Sequence, residues 1–334
     1  MVYRDKNTLM NEKRKRKAYI KKRNWIIKNI IIMIVSIMVC IAIIVSCTHH
    51  NRNGNENVTI SDTVKGVSET EKYTEIISTK SEKIQYKIKA PRDFTRKEIE
   101  KFLEKYSEAD ENIKYIYENM EDYDSELLDK VVNNPEMAEF VRNYYKNDMD
   151  VSHKLTKKEK NTQYPLFNQW DKRWGHIAYG DSDIGLAGCG PTCLSMVVYS
   201  LTRNEKVTPD VVAKYSEENG YYVDGIGTAW LLMSAFPSKY NINVSELSLS
   251  EDILKSELDR GNMIICGVGP GDFTRNGHFI VIYGYDNKGF KINDPNCIAR
   301  SKKKWSYDRL SKQIRVIWSY SYGNNDFSQE VHAH

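Results

Sequence analysis

Chemistry in this chain starts from one segment, Gly188-Cys189-Gly190-Pro191-Thr192-Cys193-Leu194-Ser195-Met196-Val197-Val198. Pro191 suits the first turn of a helix, where its missing N–H is no loss, and the glycines permit a tight approach to that helix. Cys189 therefore falls at a helix amino terminus. Unpaired N–H groups and the positive end of the dipole favour thiolate over thiol there, which makes a nucleophile. Cys193, one turn deeper, gains less. A thiolate nucleophile needs a base, and seven histidines are available. His49 and His50 adjoin a long apolar run, His153 lies in a charged connector, and His332 and His334 lie in the tail. His176 precedes the helix in a loop. His278 opens the run HFIVIYGY, a strand that can aim its ring. Imidazole can take the thiol proton and later return it to a leaving amine. Asp294, in Ile292-Asn293-Asp294-Pro295 at the end of the next strand, is placed to orient that ring. A three-residue turn at Asn287-Lys288-Gly289 sets both side chains on one face but about four residues, or roughly 13 Å, apart, so the strands must bend or bulge. The Cys189 N–H and a side-chain amide such as Gln169 would supply donors for a developing oxyanion.

Two sets of elements must hold these groups. From Tyr164 the composition turns to Gly, aromatic and β-branched residues, and the pattern predicts helices over 191–200, 208–219, 227–236 and 250–260. Strands are expected at 263–268, 278–285, 289–293 and 314–320. Helices first and an antiparallel sheet second is an α+β arrangement. Upstream, Thr95-Arg96-Lys97-Glu98 is a capping-box signature ahead of Ile99, Phe102, Leu103 and Tyr106. Further stripes run through Ile113, Ile116, Tyr117 and Met120 and through Leu127, Leu128 and Val131, and Asn134-Pro135 reads as the start of a fourth helix. These stripes read as the core of a small helical module over 91–150 that acts as a spacer.

The 334 residues carry 49 Lys and Arg against 45 Asp and Glu. The excess is concentrated in the first 28 residues, which hold a net +9 and leave −5 for the remainder. A slightly acidic folded part argues against nucleic acid as a partner. From Ile30 to Cys47 no charge occurs, about 27 Å of helix against a hydrocarbon core of roughly 30 Å. The basic flank predicts a cytosolic leader at 1–28, a single-pass membrane helix at 29–47 and everything beyond it extracytoplasmic. Ile44-Val45-Ser46-Cys47 also resembles a lipoprotein cleavage box, but the apolar run is longer than a signal core. Residues 48–90 read as a polar stalk, 161–322 as the second domain and 323–334 as a tail.

Asn168-Gln169-Trp170-Asp171, Trp174-Gly175, Tyr179-Gly180, the Gly188–Thr192 segment, Gly277 to Tyr285 and Asn293-Asp294-Pro295 together resemble the papain-like cysteine peptidases of the bacteriocin-leader-processing type. That is family thirty-nine of the cysteine peptidases, in its peptidase-like branch. The resemblance spans roughly Tyr164 to Tyr322 and implies a papain-like fold, no cofactor and a peptide or protein substrate. It also implies nucleophile Cys189, base His278, orienting Asp294 and oxyanion donor Gln169. Gln169 lies twenty residues before Cys189, where the leader-processing enzymes have a few. No transporter segments follow, so the expectation is against an exporter-linked leader peptidase. Cleavage of peptidoglycan stem peptides is the rival within enzymes, and a catalytically silent surface-binding module the rival outside them. Zinc on Cys189, Cys193 and His278 is disfavoured because no second closely spaced ligand pair occurs. Cys193, Cys266 and Cys297 read as packing residues, with a disulfide as the lesser option. Trp170, Trp174 and Tyr179 read as core or groove walls.

Overall fold

The computed structural model describes residues 86, 88–145 and 153–323. The expected leader, membrane helix, most of the stalk and nearly all of the tail lie outside the described residues. Among those described, no helix is long and apolar enough to cross a membrane.

Side-chain caps fix where the first helices begin. Thr95 accepts the Glu98 N–H while the Glu98 carboxylate accepts the Thr95 N–H, and α1 (Arg96–Ser107) follows. Asp110 caps α2 (Glu111–Glu118) and Asp124 caps α3 (Ser125–Asn133). Asn134-Pro135, expected to open a fourth helix, opens a single 3-10 turn at Pro135–Met137 that leads into α4 (Ala138–Arg142). The apolar stripes meet in one core through Ile99, Leu103, Ile113, Ile116, Leu128 and Val131. Each such side chain contributes roughly 1.5–3 kcal/mol by leaving water.

After α5 (Lys157–Lys160) comes a small hairpin, β1 (Ala178–Tyr179) and β2 (Ser182–Asp183), then the short helix α6 (Ile184–Ala187). The next helix, α7 (Cys189–Thr202), is buried on every side from Gly190 to Tyr199, as expected of a helix that is apolar all round. It is followed by α8 (Pro209–Glu218), the ribbon β3 (Tyr222–Val223) and β4 (Gly227–Thr228), and α9 (Leu232–Ala235). The helix expected over 227–236 is thus mostly replaced. Gly225 and Gly227 take φ of 74° and 99°, values that reverse the chain and cannot continue a helix.

The remaining elements are β5 (Ile242–Glu246), α10 (Glu251–Asp259), β6 (Met263–Val268), β7 (His278–Asp286), β8 (Gly289–Asn293), α11 (Ile298–Ser301), β9 (Lys304–Trp305), α12 (Tyr307–Ser311) and β10 (Ile314–Tyr322). The strands form an antiparallel sheet ordered β5-β10-β6-β7-β8-β9. This is the α+β arrangement. Ile265 and Val281 pack with α7, while Ile264, Ile280 and Ile282 pack with Leu254 of α10 on the other face. Covering both faces explains why β6 and the first half of β7 read as unbroken apolar runs, with no polar alternation.

Candidate active site

The hairpin of β7 and β8 brings His278 and Asp294 together by a shorter route than a regular ladder would give. Its turn holds two residues, since Asp286 pairs with Gly289, and a bulge leaves Tyr283 unpaired between Ile282 and Gly284. Val281 then stands opposite Asn293. One step further, Asp294 falls opposite Ile280, two positions from His278 and not four. That is a diagonal neighbour within reach of an imidazole. His278 Nε2 lies 2.8 Å from Asp294 Oδ1. Because a carboxylate only accepts, Nε2–H is the donor, and Nδ1 is left to face other groups.

The Cys189 side chain lies near enough to the His278 ring to act on its charge. Cys189 itself opens α7, half-buried and not in a disulfide. Burial works against a charge on the imidazole, but the field of Asp294, the hydrogen bond to it and the nearby Cys189 outweigh it and raise the His278 pKa from 6.5 to about 9. Burial likewise opposes charge on Asp294. The charge and hydrogen bond of His278, then Arg300, hold its carboxyl below the ordinary range.

Asp294 is anchored on several sides. Oδ1 accepts the Asn296 N–H at 2.9 Å, Arg300 Nη1 lies 3.4 Å from Oδ2, and the Asp294 N–H donates to Ser301 Oγ at 2.9 Å. Arg300 and Asp294 are 3% and 0% exposed. Sequence reasoning missed Arg300. It lies beside Lys302, Lys303 and Lys304 in a basic stretch that reads as solvated surface, and only the packing singles it out.

Gln169 is brought near the cysteine segment by the β1–β2 detour, which accounts for its distance in sequence. Gly185 N–H donates to Gly175 O at 2.8 Å, closing that loop, and Gln169 Nε2 donates to Gly185 O at 2.8 Å, four residues before Cys189. Its backbone N–H donates to Pro295 O at 2.7 Å. Gln169 is buried with Oε1 unpartnered.

Other expected residues fall elsewhere. His176 stacks on Phe140 at 4.5 Å, and burial lowers its pKa to about 4, so it is a neutral packing group. Cys193, Cys266 and Cys297 are buried free thiols, and burial raises the pKa of each, that of Cys297 to about 12. Trp174 and Tyr179 are core. Trp170 packs against the helical module, and its indole N–H donates to Asn296 O at 2.8 Å.

An α+β domain that presents a helix-initial thiol to an imidazole backed by a buried carboxylate has the parts of a thiol hydrolase centre. Residues 161–325 match the Peptidase_C39 like family. Among solved structures, the peptidase domain of Streptococcus ComA, a bi-functional ABC transporter involved in a quorum sensing pathway, is 19% identical. That match covers 48% of this chain and 99% of that one, with a TM-score of 0.36. A C39-like peptidase from Bacillus anthracis is 18% identical over 52% of this chain and 99% of its own, with a TM-score of 0.31. No curated protein matches.

Proposed function

We propose that this chain is a cysteine peptidase, tethered through residues 29–47 to the outer face of a membrane, that hydrolyses amide bonds in peptides or proteins. The observation that carries the reading is the His278 ring held by the buried Asp294 carboxylate, with the helix-initial Cys189 near enough to act on the charge of that ring.

In this reading Cys189 Sγ attacks the substrate carbonyl while its proton is held on His278 Nδ1 as the imidazolium. Asp294 keeps the ring in the required tautomer and offsets the charge of the imidazolium. As the C–N bond breaks, the imidazolium returns the proton to the departing amine, leaving an acyl-thioester on Cys189. Water then adds to the thioester, gives a proton to His278 and releases the acid, and the thiol re-forms. The oxyanion of each tetrahedral species takes hydrogen bonds from the Cys189 N–H and from the second N–H of the Gln169 amide, the first being held by Gly185 O.

Purified full-length protein incubated with a peptide library and with muropeptides, beside Cys189→Ala and His278→Ala chains, tests this by mass spectrometry. Cleavage of either class that disappears in both variants is expected. The class that is cut separates general peptides from cell-wall stem peptides. No Cys189-dependent product, together with no His278-dependent labelling of Cys189 by iodoacetamide, would leave a binding module in place of an enzyme.

A further inference from the structure

The module built from α1 to α4 does more than space the chain. Its polar side chains reach the two segments that carry His278 and Asp294. On the Asp294 side, the Glu136 carboxylate accepts the N–H groups of Ile298 at 2.7 Å and Ala299 at 3.0 Å. Asn134, 2% exposed, donates its side-chain amide to Asn296 O. That same carbonyl takes the Trp170 indole N–H, and the N–H of Asn296 donates to Asp294 Oδ1. Asn296 is thus pinned at its carbonyl by the module while its amide grips the carboxylate behind His278. Lys89 O, just ahead of the module, lies 3.4 Å from Arg300 Nη2, and Arg300 pairs with Asp294. On the other side, Arg275, three residues before His278, pairs with Asp129 of α3 at 3.0 Å and with Asp93.

We propose that Glu136 and Asn134 are positioning residues of the catalytic centre, fixing the 294–301 segment so that Asp294 holds His278 toward Cys189. The proposal rests on the peptidase reading above and adds a requirement to it, that the site is complete only with the module docked. Charged hydrogen bonds from two backbone amides to a half-buried carboxylate are among the stronger contacts a loop can have. A neutral amide at position 136 accepts less strongly and turns an NH2 group toward one of those donors.

Two readouts on the full-length chain test it, in wild type, Glu136→Gln and Asn134→Ala, with the exposed Glu121→Gln as a surface control. The first is hydrogen exchange of the 294–301 segment. The second is the pH profile of Cys189 alkylation by iodoacetamide, read by mass spectrometry. Glu136→Gln is expected to speed exchange at Ile298 and Ala299 at least about tenfold, the effect of losing one charged hydrogen bond. It should also slow Cys189 alkylation at pH 6 by about tenfold and alter the shape of its pH profile. Asn134→Ala, which leaves the Trp170 bond to Asn296 in place, should do both to a smaller degree and decides the matter if the Gln chain fails to fold. Unchanged alkylation in a folded variant, with or without faster exchange, overturns the positioning role. A wild-type Cys189 that is alkylated no faster than Cys189 of the His278→Ala chain marks failure of the peptidase reading, seen before the Glu136 and Asn134 variants are compared.

Discussion

His278 and Asp294 are the residues whose protonation folding changes with the clearest chemical purpose. His278 is raised from 6.5 to about 9, so the folded chain binds that proton more tightly than the unfolded chain. The resulting stability is present in full below pH 6.5 and is lost as pH climbs through about 9. A shift of this size corresponds to about 3 kcal/mol. Asp294 works the other way: its contribution is present above its ordinary value of 3.8 and is lost as pH falls through its lower native value. The pair therefore stabilises the fold most between about pH 4 and 6.5. Replacing Asp294 by Asn removes the counter-charge and leaves Arg300 buried without a carboxylate, which costs about 3 kcal/mol at pH 6. Urea denaturation should show the wild-type midpoint falling between pH 6 and 9.5 and the Asp294→Asn midpoint lower at pH 6 and nearly flat over that window. An equally steep fall in the variant would mean that the proton sits elsewhere. The residue types were legible: a cysteine after glycine, a histidine opening a strand and an aspartate closing the next. Arg300 and Asn296 were not, because nothing nearby in sequence marks a charge or an amide as pointing inward.

At the scale of elements, α7 does two jobs, carrying Cys189 at its first residue and filling the centre of the core behind it. Both depend on a close approach at Gly190. A Cβ there would lie 2.8 Å from the Thr228 methyl group, while Thr228 in turn bonds the buried Tyr179 hydroxyl at 2.9 Å. Gly190→Ala is therefore expected to push the β3–β4 ribbon off α7, destabilising the chain by about 1–3 kcal/mol and slowing Cys189 alkylation. Urea midpoints and labelling rates measure the two effects, and a chain unchanged in both would show that the ribbon yields freely. Local signals were reliable where a side chain caps its own helix, as at Thr95. They failed at β3, β4, β5 and β9. The ribbon and β9 are two residues each, and β5 is held by pairing with β10, about seventy-five residues away. The register of β7 and β8 shows the same limit. A three-residue turn was the natural reading of Asn287-Lys288-Gly289, but the two-residue turn and the bulge at Tyr283 decided the geometry.

At the largest scale, the described residues form one compact unit in which module and sheet domain share contacts. Phe140 of α4 stacks on His176, and Trp170 and Leu186 pack against the module core. Phe140→Ala should open a cavity at this junction and cost about 3 kcal/mol. Urea denaturation should still give a single transition, because both parts lose the shared core together. Two separated transitions, with only the first shifted, would show that the parts unfold independently.

By itself the sequence determined the chemistry on offer and the elements that carry it: a thiol at a helix start, an imidazole on a strand and an α+β order, all set by caps, glycines and apolar runs acting over a few residues. Tertiary structure alone decided which groups meet. His278 reaches Asp294 across 16 positions, Trp170 reaches Asn296 across 126, and Asn134 and Glu136 reach Asn296 and Ile298 across 162. Contacts at such separations form only after the chain has closed long loops and expelled water between elements, so no local pattern encodes them.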